Sequence, residues 1–584
     1  MKASFRHVLL SAALAGCCSA TPGGEHGYWM SSPSLNGWRE AVFRAGVPAQ
    51  PAVLPPGVEM MMVGSSSPAV QILVLEGMTH LLTFGDMRAT LKFDGALRLD
   101  PDCLMAHWGR CMSLMGAGPE FQSRRVQSMK RMKELALRPD CPEQERAYAD
   151  ALAVLLMDGP EKARESWKNI CSTWKRDPYA PLFYAMLLRD GFDGDGNPGE
   201  GQKEAVRVVD AVLKERPDSQ AALFMRVLLE EVAPVISPET VETARKAAAA
   251  NPLSASAQHL LGHCLFRTGD YEGASAAFQA SENLCLAWEK TENVPRALND
   301  AYFRSILYRA VSEFCAGHYK KAEAIASRAA AMPLDREHPL ASGTLLQIWE
   351  ARTLPVRLML ARPSLPAQAH LLKASPGPLP KGFPDLSNGM TAVVAQYMGA
   401  CCAAKQGRPG AVAAGFDKLS GILRLFMEGA EAARRQMSLS YWARCLQMGS
   451  LYSSEIRALM FPDSAHVWMS EAIRSQRYSS LLLPPVVPYP AEWKLAQAYL
   501  QGGKYRECAD MCGQALKRFP NHAGVLATMS QARGKEKAAP VTQARKRTGP
   551  NKMDTDGTLK PAEIPPPSSG NFNGFAHIYF RWRP

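Results

Sequence analysis

His259 and His263 stand four residues apart, a spacing that sets two imidazoles on one face of a helix. A zinc protease uses such a pair with a glutamate directly after the first histidine. Leu260 stands there instead, and that chemistry is excluded. A second set is Asp193, Asp195, Asn197 and, eleven residues after the first, Glu204. Oxygen ligands at those intervals match a helix–loop–helix calcium site. The sixth position of such a loop must take a positive φ, and Pro198, locked near about −65°, stands there. The loop reads as a calcium candidate without its turn residue, and otherwise as a polar surface loop. The same stretch spells Gly194-x-Gly196-x-x-Gly199, but a dinucleotide fingerprint needs a strand before it, and a helical pattern precedes this one. Cys508 and Cys512 share a helical face on apolar positions and read as small buried hydrophobes. No nucleophile elbow, Walker loop or Cys/His ligand spacing is present. The sequence carries no catalytic constellation and calls for no cofactor.

The elements that position these residues repeat. Pro101, Pro139, Pro178, Pro217 and Pro252 each follow a charged or amide residue and precede a new apolar run; they lie 38, 39, 39 and 35 residues apart. Proline lacks an N–H and clashes with the preceding turn, so each one ends a helix. A period slightly above 34 marks an array of helix pairs. Within one period Leu261-Gly262, Gly269-Asp270-Tyr271, Ala274 and Phe278 supply small residues for a close crossing, a turn glycine and two seam-filling rings. Gly317, Tyr319 and Ala322 repeat the frame, as do Leu495-Ala496, Tyr499, Gly503, Tyr505, Cys508, Cys512, Ala515 and Pro520. These residues resemble the tetratricopeptide (TPR) consensus. The opening, with Ala96-Leu97-Arg98-Leu99-Asp100-Pro101, Met105-Ala106-His107-Trp108-Gly109 and Glu145-Arg146-Ala147-Tyr148, resembles a family of bacterial TPR proteins. The resemblance implies an all-α fold, a right-handed superhelical solenoid of TPR-like helix pairs. It also places His259, His263, Phe266, Arg267 and Trp493 at positions that line a concave groove, where they either receive a partner or pack against the next repeat.

The flanks differ in composition. Lys2, Arg6 and His7 precede the apolar run Val8 to Ala15, and Leu14-Ala15-Gly16-Cys17 follows. That run is too short to span a membrane. The four residues resemble the lipobox of bacterial lipoproteins, which implies a signal peptide over 1–17, lipidation of Cys17 and a chain tethered in the cell envelope. Thirteen cysteines remain besides Cys17, scattered through helical patterns, which argues for few disulfides. Gly, Ser and Pro dominate 18–65, which reads as a flexible tether. An N-terminal solenoid is expected over 66–345 and a C-terminal block over 390–535. Between them, seven prolines in 355–388 leave no room for a regular helix, so 346–389 reads as a break or hinge, while Leu483 to Pro490 reads as a second turn. From Arg533 onward ten Lys/Arg face four Asp/Glu, half of the formal charge of +12; 536–584 reads as a disordered basic tail.

An array of helix pairs offers an extended binding surface more readily than a dry catalytic pocket. The expected role is a non-catalytic scaffold that holds a protein or peptide partner in its groove, with the bilayer as a second partner and nucleic acid as none. Two alternatives stay open: a glycan- or nutrient-binding surface lipoprotein, favoured by Trp and Tyr rings exposed on one face, and a hydrolase whose site lies in the Pro-rich insert.

Overall fold

The computed structural model describes residues 57–538, apart from 116–120, 194, 384–387, 435–438 and 477–480. It is all-α, and no β-strand occurs among the described residues. Seven helix pairs open the array: α1 (Pro68–Leu82) with α2 (Asp86–Leu99), α3 (Leu104–Ser113) with α4 (Gln122–Ala136), α5 (Glu143–Asp158) with α6 (Pro160–Thr173), α7 (Ala180–Leu188) with α8 (Glu200–Glu215), α9 (Gln220–Glu230) with α10 (Pro238–Ala250), α11 (Ala255–Thr268) with α12 (Tyr271–Glu292), and α13 (Asp300–Cys315) with α14 (Tyr319–Ala330). Then come α15 (Ser342–Trp349), α16 (Leu354–Ala361), α17 (Gln368–Ala374), α18 (Gly389–Lys405), α19 (Pro409–Arg434), α20 (Leu439–Met460), α21 (Ala465–Ser475), α22 (Ala491–Gln501), α23 (Tyr505–Arg518) and α24 (Ala523–Ala538). Most neighbours in sequence are neighbours in space, and around Ser342–Trp349 the chain also packs on helices one further along. No described helix is long and apolar enough to cross a membrane.

The α11–α12 hairpin shows why the repeat residues recur. A Cβ on Gly262 would sit 2.8 Å from the Phe278 ring, so only glycine lets that ring fill the crossing. Gly269 ends α11 at φ 83°, a conformation glycine takes without strain. Asp270 then caps α12 by accepting from the Gly273 amide at 2.9 Å. In the opening repeats Trp108 donates to the Tyr148 carbonyl at 3.0 Å, Tyr148 donates to Asp177 at 2.8 Å, and both rings meet Trp167 edge-on.

Two large apolar cores result. One runs from Met61 to Cys264 and takes in Leu481; the other runs from Ala255 to Ala532. A smaller contact seats Leu91, Leu114 and Phe121 against Val294 and Leu298, with the Arg88 guanidinium 4.6 Å over the Trp288 ring. The chain thus returns on itself between α2 and the end of α12.

Three expectations are corrected. The stretch 355–388 does hold helices: Pro355 lies in the first turn of α16, where a missing N–H breaks no bond, and Leu354, Val356, Leu358 and Leu360 are buried in the second core. The described end of the expected tether is packed, not free. Residues 57–67 cross the loops between helix pairs, with Met61, Val63 and Ser65 buried. There the Tyr179 hydroxyl accepts from the Glu59 amide at 3.2 Å and donates to the Glu59 carbonyl at 2.8 Å, Arg216 pairs with the Glu59 carboxylate at 3.0 Å, and Ser65 donates to Asp100 at 2.7 Å. The third correction, to Leu483–Pro490, concerns the groove itself.

Candidate functional site

Leu481 to Pro490 is not a surface turn. It is an irregular, bent passage through the inside of the array, and Leu481, Leu483, Val486, Val487 and Tyr489 are each at most 7% exposed. Prolines at 484, 485, 488 and 490 remove four amide donors from a buried stretch that must satisfy every polar group. The carbonyls remain, and side chains from widely separated helices meet them. His259 on α11 binds the Leu481 carbonyl through Nε2 at 2.8 Å. Tyr308 on α13 donates to Leu483 at 2.9 Å. Arg444 on α20 donates to Pro484 at 2.9 Å, and Arg357 on α16 donates to Val486 at 2.9 Å. Gln476 donates to Tyr489 at 2.7 Å and accepts from the Ala491 amide at 2.8 Å.

Charge holds these donors in place. Glu350 is buried and receives Arg357 at 2.9 Å on one carboxylate oxygen and Arg444 at 2.5 Å on the other. Burial works against the Glu350 anion, but the two guanidiniums prevail and hold its carboxyl below the usual carboxylate range. Glu455 likewise accepts from Tyr489 at 2.7 Å and from Tyr397.

All five residues anticipated at the groove are buried or partly buried, and none faces an open cleft. His259 touches the internal segment and lies 3.1 Å from Ser305 Oγ; burial depresses its pKa to about 3. His263 bonds Glu231 at 3.0 Å and Tyr308 at 3.2 Å, and burial draws its ring toward the neutral form against the pull of Glu231. Arg267 ties down the end of α9, donating to Ala233 at 2.7 Å and Pro234 at 3.0 Å. Phe266 packs against Tyr271, Tyr308 and Phe519. Trp493 donates to Thr528 at 2.8 Å and packs against Tyr489 and His522. Phe266 and Trp493 therefore help close the C-terminal hairpin over the segment. A Cβ on Gly269 would come 2.4 Å from the Pro520 carbonyl, so that turn glycine also admits the hairpin.

The calcium-like set does not converge. Asp193 spends its carboxylate on the amides of Asp195 and Asn197, at 2.9 and 2.8 Å, and on the Asn197 side chain at 3.0 Å. Glu204 pairs with Arg207 at 2.5 Å. Among the described residues no group of three or more acidic, His or Cys side chains could hold a metal. The twelve described cysteines are free thiols, and burial pushes several, Cys103 and Cys401 among them, up to about 12. Cys17 and the basic tail lie outside the described residues.

Tyr308, Glu350, Arg357, Arg444 and Glu455 were not singled out from the sequence. Their signal was charge on apolar elements: Arg357 interrupts the run Leu354-Pro355-Val356-Arg357-Leu358-Met359-Leu360, and a lone charge there must find a buried partner.

No family model matches the chain, and no curated protein matches it. Among solved structures, the human IFIT1 dimer with m7Gppp-AAAA aligns over 88% of this chain and 97% of its own, at 11% identity and a TM-score of 0.33. The P58(IPK) TPR domain aligns over 82% and 99%, at 13% identity and a TM-score of 0.19. Naa15/Naa10 bound to HypK-THB aligns over 81% and 88%, at 11% identity and a TM-score of 0.20. At such scores no ligand or partner carries over, and the fold stands on the helix pairs described above: an all-α array of TPR-like hairpins.

Proposed function

We propose that this chain is a non-catalytic scaffold, tethered to the bacterial cell envelope through lipidated Cys17, that receives an extended segment of a protein partner in its groove. One observation carries the groove reading. The array already holds an irregular, non-helical segment by its backbone carbonyls, using His259, Tyr308, Arg357 and Arg444 from four helices. Side chains built to grip a main chain are the chemistry of peptide recognition. Glycan binding draws less support: Trp108, Trp167 and Trp493 are fully buried, and Trp174, Trp288 and Trp468 are half-buried. Glu350, in the stretch where a hydrolase site was considered, is neutralised by two guanidiniums and is poorly suited to proton transfer.

The tether is tested by intact mass and membrane fractionation beside Cys17→Ala. The reading expects a mature chain that begins at Cys17, carries lipid mass and leaves the membrane when Cys17 is replaced; a soluble chain that keeps Met1 sinks the tether. The groove is tested by a photo-reactive residue in place of Lys494, whose ammonium lies 4.8 Å from the Tyr489 ring. Crosslinking to a discrete envelope polypeptide is expected, and self-crosslinks alone would remove the groove from the reading.

A further inference from the structure

We propose that Leu481–Pro490 is an exchangeable, built-in occupant of the groove, and that the partner segment replacing it is an apolar, uncharged, proline-rich extended peptide of another polypeptide. This deepens the groove reading above and rests on it.

The wall that faces the segment's carbonyls consists of donors, while the Glu455 carboxylate accepts from the Tyr489 hydroxyl at 2.7 Å. His259 Nε2, the Tyr308 hydroxyl and the guanidiniums of Arg444 and Arg357 bind the carbonyls of Leu481, Leu483, Pro484 and Val486. Such a wall satisfies carbonyls of any sequence but offers little to an amide N–H. A chain with an amide at every residue would bury donors without acceptors, each costing free energy, whereas proline presents the carbonyl alone. Proline also preorganises an extended backbone, so less conformational entropy is lost on binding. The groove therefore selects proline-rich chains by backbone chemistry, and its apolar lining selects Leu- and Val-sized side chains. Arg357 and Arg444 sharpen the argument. Their shared partner Glu350 places three charges in the interior, an arrangement that well-packed apolar residues usually match or exceed for stability alone. Its benefit here lies in aiming two fixed forks at a peptide backbone.

The bonds to these carbonyls come from side chains, so the segment can leave without dismantling a helix. A tethered occupant competes at an effective concentration on the order of millimolar. The wild-type groove should accordingly bind a free peptide weakly, and a chain with a poor internal segment should bind it well.

The test uses the full chain and a fluorescent peptide of sequence LLLPPVVPYP, a copy of residues 481–490. In the double variant Val486→Asp/Tyr489→Ser, anisotropy should show binding at least about 100-fold tighter than in wild type. Adding Tyr308→Phe should weaken it about tenfold, and a peptide with alanine at every proline should bind about tenfold more weakly. A double variant that keeps its helical signal and cooperative melt yet binds no peptide overturns the proposal. So does a wild-type dimer, read by mass in solution, in which the segment has crossed to a second copy. If the double variant does not fold, hydrogen exchange on wild type decides. Amides of Leu482, Leu483, Val486 and Val487 exchanging at least about tenfold faster than those of α13 indicate local release; exchange only with α13 makes the segment permanent core and ends the idea. Peptide binding without a crosslinked envelope partner would sink the scaffold reading and leave this one standing, and the converse result would do the reverse.

Discussion

Two non-helical segments cross this helical array, and they are held in opposite ways. Residues 57–67 run over the loops between helix pairs at the edge. Their side chains alternate: Met60 and Met62 are 62% and 77% exposed, while Met61 and Val63 are buried. Leu481–Pro490 runs inside, with its apolar side chains covered. The outer segment keeps its amides, and one hydroxyl, that of Tyr179, serves both polar groups of Glu59. The inner one dispenses with four of its ten amides through proline, and side-chain donors meet its carbonyls. Water can meet what the edge leaves unpaired, so the edge tolerates ordinary sequence. The interior favours a sequence with fewer donors, met by fixed side chains of which Arg357 and Arg444 are charged.

The largest expected effect sets the two against each other. Arg357→Met leaves the Val486 carbonyl unpaired and takes one guanidinium from buried Glu350; breaking such a pair costs about 3–5 kcal/mol. Arg216→Met on the edge removes a partly exposed pair with Glu59 and should cost less than about 1 kcal/mol. Urea midpoints of the two variants measure this directly, and equal losses would erase the distinction between edge and interior.

Acid should act on the inner segment as well as on the first repeats, where burial likewise lowers His80 to about 3 and His107 to about 4. Burial holds His259 down to about 3 and His522 to about 4; nearby His263 and Arg304 oppose a charge on His259 as well. In the unfolded chain these rings take a proton below about 6.5, while the folded chain refuses it. Unfolded chain then binds more protons, so stability falls as the pH drops from about 6.5 towards 3. The slope approaches about 1.4 kcal/mol per pH unit for each such ring. Denaturation at pH 7.5, 5.5 and 4.5 should show the loss, with a shallower slope in His259→Gln, whose amide can still serve the Leu481 carbonyl. An unchanged slope would mean that His259 titrates normally.

How much of this could be read beforehand follows from what kind of force acts. The helix pairs were legible because Gly262, Gly269, Ala274 and Phe278 act within one hairpin, where a local pattern reports local geometry. The shared helix face of His259 and His263 was legible for the same reason. What His259 meets was not, because Leu481 lies more than two hundred residues later, and no periodicity spans that distance. Proline density misled at two places for one cause. Dense proline reads as an end of structure, yet Pro355 opens α16 and Pro484, Pro485 and Pro488 lie in a buried, bent chain. The overlooked signal was composition: Leu481 to Pro490 contains no charged residue and no glycine, unlike a solvent-exposed turn.

At the edge, Tyr179→Phe removes the hydroxyl that pairs both polar groups of Glu59. The cost should be about 1–2 kcal/mol, and faster hydrogen exchange should be confined to 57–67 while amides of 481–490 keep their rate. Exchange that rises in both segments would show them to be coupled through the α1–α9 core.

The smallest effect is the most discriminating about the edge. If residues 57–67 behave as a half-buried strand, replacing Met62 by serine should change stability by less than about 0.5 kcal/mol, since its side chain already sits in water. The same change at Met61, one residue away, should cost about 1.5–3 kcal/mol of lost burial. A shift of register by one residue would exchange the two side chains and reverse the pair of results. The edge lacks the proline-fixed geometry and the converging guanidiniums of the interior, so it is the segment where such a slip is physically open. Thermal melts of Met61→Ser and Met62→Ser therefore test whether Tyr179, Arg216 and Asp100 together suffice to fix an extended chain without a charged clamp.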